Sequence, residues 1–251
     1  MFDTIIDACQ YLLYNYPEAQ KCKDYLDSRL SEESQKRFQF GYFPEPCNLG
    51  ALKSIIGNDF LNKMGLEYSK TIEDSLSPRV INIQFFENHP IVMPFKDAYG
   101  NSVAMVGRTL LSEEDRKNKN IVKYKNTKFT KGNYLFGLYE NKQNILDLDS
   151  VYIVEGQFDV IKATEKGLKN IVALGNSNMT PYQFSVISRY TNNIFLLLDN
   201  DEAGIKGRKA IIEKYGSLSN IKNFYLMDEY KDIDEFFSSN ELSNLSFNLK
   251  D

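Results

Sequence analysis

Apolar residues fall at helical spacing over Phe2–Tyr16, where Ile5, Ile6, Cys9, Leu12, Leu13 and Tyr16 recur every three or four positions. Pro17 ends that helix, because it lacks the N–H a continuing helix needs. A second helix is predicted over Ala19–Leu30, and a third begins at Ser31 as N-cap, with Glu32 and Glu33 in its first turn. The aromatic run Phe38–Phe43 that follows reads as core rather than as base-stacking groups. Asn48–Gly57 and Asp59–Met64 read as short helices. Ile91–Lys96 and Ser102–Leu110 read as strands joined by a turn at Asp97–Asn101.

From Val151 onward the pattern changes. Short apolar runs alternate with amphipathic segments: strand 151–154, helix 158–166, strand 170–174, helix 181–190, strand 194–198, helix 203–214, strand 223–227. Alternation of this kind predicts a parallel, right-handed α/β sheet. Thr180-Pro181 is an N-cap followed by Pro at the first helical position, and Gly167 and Gly216 stand where helix C-caps belong. A boundary is expected near Lys142–Asp149. Residues 238–251 read as a polar tail that frays.

Two of the apolar runs break at carboxylates. Val151–Val154 is followed by Glu155-Gly156, with Asp159 just beyond; Phe195–Leu198 is followed by Asp199-Asn200-Asp201. Ligands of open parallel sheets gather at the carboxyl ends of the strands. Acids delivered there repel one another, and a divalent cation relieves that repulsion. Magnesium takes one or two carboxylates with water and substrate phosphates, so the constellation reads as a Mg²⁺ site for phosphoryl chemistry. A single acid at a strand end serves solubility; Glu-Gly at one end with Asp-x-Asp at another is more specific.

Those residues carry a resemblance. Glu155-Gly156-x-x-Asp159-Val160, Ala173-Leu174-Gly175-Asn176-Ser177 and Asp199-Asn200-Asp201-x-Ala203-Gly204 resemble a Toprim domain, shared by DnaG-type primases, topoisomerases and some nucleases. Leu135-Phe136-Gly137-Leu138-Tyr139-Glu140 and Lys231-Asp232-Ile233-Asp234-Glu235-Phe236-Phe237 resemble elements of the DnaG-type primases specifically, of the bacteriophage kind. The resemblance implies an α/β Toprim-type parallel-sheet domain at 147–237, preceded by a mixed α+β primase subdomain at 1–146 that binds template. It implies that Glu155, Asp159, Asp199 and Asp201 are catalytic, and that Glu155, Asp199, Asp201, Asp232 and Asp234 hold Mg²⁺ or Mn²⁺. Gly107-Arg108-Thr109-Leu110, Lys123-Tyr124-Lys125-Asn126-Thr127 and Phe129-Thr130-Lys131-Gly132 resemble family elements that face template and nucleotide, which implies Arg108, Lys123, Asn126 and Lys131 as their contacts. Ser112–Asn120 matches none of these elements and reads as an insert.

Composition narrows the picture. The 251 residues are 42% hydrophobic and 25% charged, ordinary for a globular protein. No apolar run is long enough to span a membrane, and Asp3 and Asp7 argue against a signal peptide, so a cytoplasmic location is expected. Cys9, Cys22 and Cys47 with His89 lack zinc-ribbon spacing, so no zinc is expected and the cysteines read as buried thiols. The net charge is −4, yet Lys96–Lys131 holds nine Lys/Arg against four acids. A basic segment in an otherwise acidic chain suits a polyanion held near divalent cations. The partners expected are single-stranded DNA, ribonucleoside triphosphates and a replicative helicase. The function expected is primer synthesis by a DNA-directed RNA polymerase. A Toprim nuclease or topoisomerase, or a non-catalytic single-strand-binding replication protein, are the alternatives.

Overall fold

The computed structural model describes residues 2–72, 79–226, 230–245 and 248–249, which fall into two compact units. The first comprises Met1–Phe95 with Ser102–Lys128; the second comprises Lys96–Asn101 with Phe129–Asp251.

In the first unit, α1 (Phe2–Asn15) buries Ile5, Ile6, Cys9, Leu12 and Leu13, the stripe its spacing predicts. Pro17 opens a 3-10 turn instead of extending it. Next come α2 (Gln20–Asp27) and α3 (Glu32–Arg37), and the Ser31 hydroxyl caps α3 by accepting the Ser34 N–H at 3.3 Å. Phe38, Phe40, Tyr42 and Phe43 are buried, as core residues should be. The chain continues through β1 (Gly41–Tyr42), α4 (Leu49–Ile56), α5 (Phe60–Lys63), β2 (Glu67–Ile72), β3 (Arg79–Gln84), β4 (Ile91–Lys96), β5 (Ser102–Arg108), α6 (Glu113–Lys119) and β6 (Tyr124–Asn126). One sheet has the order β1-β4-β5-β6. A Cβ on Gly41 would lie 2.6 Å from the Cys9 backbone, so α1 rests directly on β1.

Three features differ from the pattern. β2 and β3 form a separate antiparallel ribbon, Glu67 opposite Gln84, which the pattern does not announce. Ser112–Asn120 is a capped helix, with the Ser112 hydroxyl accepting the Asp115 N–H. Cys9 and Cys22 are buried thiols, but Cys47 is exposed in the short turn Pro46–Asn48.

The second unit is α7 (Leu138–Leu148), β7 (Val151–Val154), α8 (Gln157–Glu165), β8 (Ile171–Ala173), α9 (Pro181–Ile187), β9 (Asn193–Leu196), α10 (Glu202–Tyr215), β10 (Asn220–Tyr225), α11 (Ile233–Ser239) and β11 (Asn248–Leu249). Its sheet has the order β11-β10-β9-β7-β8. The four strands β8, β7, β9 and β10 are parallel, as expected; β11 adds an antiparallel edge. Val151, Ile153, Val172, Ile194 and Leu196 of the strands share one core with Ile145, Ile187 and Ile211 of the helices. α8 and α11 pack together, burying Val160, Ile161, Phe236 and Phe237.

Lys142–Asp149, expected as a boundary, lies mostly within α7. Leu138, Asn141 and Ile145 bury one face of that helix, and the Asn141 amide donates to the Ile171 carbonyl at 2.9 Å. Ahead of α7, Phe136 exchanges two backbone hydrogen bonds with Ala173, which fastens the loop to the edge of β8. Gly167 has φ +98° and terminates α8 as predicted; Gly216 is right-handed at φ −64°, so the left-handed cap is absent there. The 238–251 stretch is not wholly frayed: α11 runs to Ser239, Leu242–Asn244 is a 3-10 turn and β11 pairs with β10. The last expected strand begins earlier, at Asn220, and residue 227 lies outside the described residues.

Candidate active site

Each acid is placed by the end of a strand and the start of a helix. β7 stops at Val154, and Glu155 follows in the turn to α8. The Glu155 Oε1 accepts the Asp199 N–H at 3.3 Å, which ties the ends of β7 and β9 together. Asp159, in the first turn of α8, is buried. Its two oxygens accept the Gly156 N–H at 3.0 Å and the Asp234 N–H at 3.1 Å. Asp159 therefore anchors the start of α11 to the start of α8.

Beyond β9 the chain runs Asp199-Asn200-Asp201 into α10. The Asp201 Oδ1 accepts the Ala203 and Gly204 N–H groups, both at 3.0 Å, and so caps α10. Its carboxylate sits where the helix dipole favours negative charge. A Cβ at Gly204 would lie 2.1 Å from the Asp199 carbonyl and 3.0 Å from the Glu155 Oε1, so glycine is what lets α10 approach the two acids. Asn200 pins the facing loop: its N–H donates to the Lys231 carbonyl at 2.8 Å and its amide to the Tyr230 carbonyl at 2.9 Å. Asp232 then caps α11 through the Glu235 N–H at 2.8 Å.

Crowding of these carboxylates shows in their acidity. Burial first, and then the Asp199 charge, push Glu155 up to about 6. Burial and the Asp232 charge raise Asp199, with Lys231 opposing. Burial, then Asp232 and Asp199, raise Asp159 well above the usual carboxylate range. The Lys231 ammonium lies 3.6 Å from Asp199 and 3.9 Å from Asp201, a positive charge set between two acids.

An all-oxygen donor set under mutual repulsion fits a hard divalent cation. Among the described residues no three His, Cys, Asp or Glu side chains already form a metal cage. An ion at Glu155, Asp199 and Asp201 would have to take water or substrate oxygens for much of its shell. Asp159 differs, since both its oxygens are engaged by backbone N–H groups.

Arg208, on α10, escaped the sequence reading. It is fully buried; its guanidinium donates to the Asp199 carbonyl at 2.8 Å and also to the Leu198 carbonyl, and lies 4.5 Å from the Tyr225 ring centre. It holds the end of β9 and sets a permanent positive charge beside the acids. Lys231 and Asn200 were missed too, although both adjoin the Asp-x-Asp pairs that the sequence singles out.

The basic residues divide differently. Arg108 closes β5 opposite Tyr124 of β6. It is nearly buried, its guanidinium 5.0 Å from the Tyr25 ring centre and 5.2 Å from that of Tyr124, and it donates to the Tyr124 hydroxyl at 2.6 Å. Lys123 is exposed, with its ammonium 5.6 Å from the Tyr124 ring. Lys125 lies 4.3 Å from the Phe85 ring, and burial lowers its pKa. Asn126 is half-buried in β6, with its Oδ1 unpaired among the described residues. Lys131 belongs instead to the second unit. Its ammonium donates to the Gly175 carbonyl at 2.7 Å, and the Gly175 N–H reaches the Glu155 carbonyl at 2.9 Å. Lys131 therefore shares the strand-end edge with the acids, while Arg108, Lys123 and Asn126 gather along β5 and β6.

Residues 10–142 match the family of the DNA primase catalytic core, N-terminal domain, and residues 152–237 match the Toprim-like family. The chain is 30% identical over 242 residues to a DNA primase of Aquifex aeolicus, covering 94% of this chain and 47% of that protein. It is 27% identical to a DNA primase of Pseudomonas putida, covering 89% of this chain and 33% of that one. The chain thus spans half or less of the length of these relatives. Among solved structures, the zinc-binding and RNA polymerase domains of the Aquifex aeolicus primase superpose with a TM-score of 0.72 at 28% identity, covering 93% of this chain and 55% of that one. The E. coli primase catalytic core has the same fold, with a TM-score of 0.76 at 24% identity over 96% of this chain and 75% of that one.

Proposed function

The chain belongs to the DNA primase catalytic-core family, and from that premise we propose that it synthesises short RNA primers on single-stranded DNA as a DNA-directed RNA polymerase. The observation that carries the reading is the gathering of Glu155, Asp199 and Asp201 where β7 and β9 end and α10 begins. A divalent cation, Mg²⁺ or Mn²⁺, held by these three acids would neutralise the incoming triphosphate and lower the pKa of the primer 3′-hydroxyl. Asp232 completes the acidic set from the facing loop. Asp234 is tied to it through its N–H on Asp159, whose own task is to hold the two helix starts in register. Arg208 keeps the Asp199 carbonyl from turning into the site. Lys131 meets triphosphate or template phosphate at the same edge, and Arg108, Lys123 and Asn126 contact template.

On this reading residues 1–146 chiefly serve the template and residues 147–237 the metal. The substrates are single-stranded DNA and ribonucleoside triphosphates in the cytoplasm, no zinc is required, and a replicative helicase raises the local concentration of the enzyme on its template. No helix among the described residues is long and apolar enough to cross a membrane. A bacteriophage source is part of the proposal and rests on the resemblance alone.

The deciding experiment is incorporation of labelled ribonucleotides on single-stranded DNA with Mg²⁺ or Mn²⁺, with template degradation scored in parallel. Primers of a few nucleotides that depend on both metal and template are expected. Degradation without incorporation would transfer the acids to a nuclease.

A further inference from the structure

None of the acids described above lines a cleft of the Toprim-containing unit that is about 270 Å³ in volume. Four tyrosines line it, Tyr99, Tyr134, Tyr182 and Tyr190, with Leu135 and Leu138 as apolar lining. Tyr99 is 82% exposed and Tyr182 55% exposed. Large rings left this open are informative when the backbone that carries them is held in place, and both backbones are.

Tyr99 stands at the tip of the β4–β5 turn. The Asp97 carboxylate accepts the Tyr99 N–H at 2.8 Å, the Asn101 N–H at 2.9 Å and the Asn101 amide at 2.9 Å. Lys142 of α7 donates to the Ala98 carbonyl at 2.8 Å. Gly100, at φ +95°, lies so close to the Tyr139 ring that a Cβ would stand 2.6 Å from it. The opposite wall is equally fixed. Thr180 caps α9 and donates to the Gly132 carbonyl at 2.5 Å, and the Gln183 amide donates to the Tyr134 carbonyl at 2.8 Å. Tyr182 therefore rides on a helix start locked to the Gly132–Tyr134 loop. The cleft is preformed, near the lower end of the ~300–1,000 Å³ range of small-ligand sites.

Its polar equipment points to one ligand chemistry. Arg189 also lines the cleft, and its exposed guanidinium makes no side-chain hydrogen bond or ion pair among the described residues. Tyr190 lines the same cleft as Tyr99 and Arg189. Fixed aromatic faces stack on any base, and a guanidinium matches phosphate oxygens in a planar fork. We propose that this cleft binds a nucleobase between Tyr99 and Tyr182, with the adjoining phosphate on Arg189. The choice of a nucleotide over another planar anion rests on the primase reading. The same chemistry is offered by a base of single-stranded DNA and by a free nucleotide.

The test uses the whole chain with chelator present, so that the acids are silent. Anisotropy of labelled dT and dA 12-mers and calorimetry with ATP are measured for wild type, Tyr99→Ala, Tyr182→Ala and Arg189→Gln. Each alanine variant is expected to lose about tenfold in affinity, in line with the loss of one stacked base. Tyr99→Phe and Tyr182→Phe should bind like wild type. Arg189→Gln should flatten the salt dependence of oligonucleotide binding by about 0.7 in slope. Loss confined to the 12-mers identifies a strand as the occupant; loss for ATP as well identifies the nucleotide unit. A Tyr99→Ala/Tyr182→Ala double variant with an unchanged melting temperature and wild-type affinity for both ligands would overturn the proposal. So would cross-links from 5-iodouracil oligonucleotides that all fall outside the cleft. The two readings fail separately. If the chain makes no primers yet the alanine variants lose binding, the cleft stands and the primase reading falls. Primer synthesis with unchanged binding in the double variant removes the cleft alone.

Discussion

At the carboxyl end of the second unit's sheet, charges of one sign are pressed together. Burial first raises the pKa of both Glu155 and Asp199; the Asp199 and Asp201 charges add to it at Glu155, and those of Asp232 and Asp201 at Asp199. Along β5 and β6 of the first unit, charge is spread onto rings. Arg108 lies between Tyr25 and Tyr124, Lys123 beside Tyr124 and Lys125 over Phe85. The acids keep a net repulsion that Lys231 offsets only in part and a metal cation would relieve; the basic residues of β5 and β6 already have partners within the fold. A charged residue matching a functional motif can therefore serve either a ligand or the fold. Ligand binding is the better reading where the fold leaves a charge in tension. Where it has paired the charge, a role in stability must be separated from a role in binding.

The most severe way to break the contrast is to neutralise one acid. Asp199→Asn keeps size and shape and removes a charge. We expect primer synthesis to fall by at least about 10³-fold, since electrostatic stabilisation of the transferring group is the main catalytic term in phosphoryl chemistry. The metal-free protein should remain as stable as wild type or gain, because a repulsive neighbour is gone. Wild-type synthesis in a folded Asp199→Asn protein would show that the acids are only a solvated sheet end.

Arg208 sharpens the contrast from inside the acidic region, since it is a paired cation there. Arg208→Met leaves the buried Leu198 and Asp199 carbonyls without their donors. Each lost buried hydrogen bond costs about 1–3 kcal/mol, so a loss of about 3 kcal/mol is expected in denaturant unfolding. Arg208→Lys should recover part of it. Stability unchanged by Arg208→Met would mean that the guanidinium is not what holds the end of β9.

Among the basic residues the same logic separates neighbours. Arg108→Ala removes a guanidinium lodged against two rings and should cost about 1–2 kcal/mol of stability. Lys123→Ala, at an exposed site, should stay within about 0.5 kcal/mol while lowering the salt slope of single-strand binding by about 0.7. Loss of strand affinity in Arg108→Ala with no loss of stability would show that Arg108 serves the template alone and not the fold.

What the sequence disclosed follows the same line. The parallel sheet was legible in its alternating runs, and the acids because two of those runs end directly in a carboxylate, so a local pattern carries a local fact. The Arg108 position was legible, but not its burial: Tyr25 reaches it from α2, and no local pattern joins the two. Arg208 stayed hidden because a cation within an amphipathic helix reads as solvent-facing, and only the packing of β9 and β10 makes it core. The β2–β3 ribbon was missed for the opposite reason. Tyr68, Val80 and Ile81 are exposed, so no buried face imposes the alternation that marks a strand. The polar residues of Lys142–Asp149 do not announce that most of this stretch is helical; the buried face of α7, formed by Leu138, Asn141 and Ile145, begins ahead of it.

A modest expected effect concerns the pH at which the tension in the acidic region is felt. Glu155 rises from an ordinary 4.5 to about 6 on folding, mainly through burial and then through Asp199. A carboxyl with a raised folded pKa binds protons more tightly in the native state than in the unfolded chain. Its contribution is therefore favourable below about pH 4.5 and is lost as pH rises through 6. Glu155→Gln removes that dependence while keeping an oxygen to accept the Asp199 N–H. In metal-free protein the variant should match wild type below pH 4.5 and exceed it above pH 6. The gain should be about 1 kcal/mol after allowance for solvent screening, or about 2–4 °C in melting temperature. Taking the difference between the two proteins at each pH cancels the opposing titration of His89, whose burial lowers its pKa. Saturating Mg²⁺ or Mn²⁺ should then stabilise wild type more than Glu155→Gln and close or reverse the gap at pH 7. A pH-independent difference would show that Glu155 feels no repulsion, and a gap unaffected by either ion would remove it from the metal ligands while leaving Asp199 and Asp201 in place.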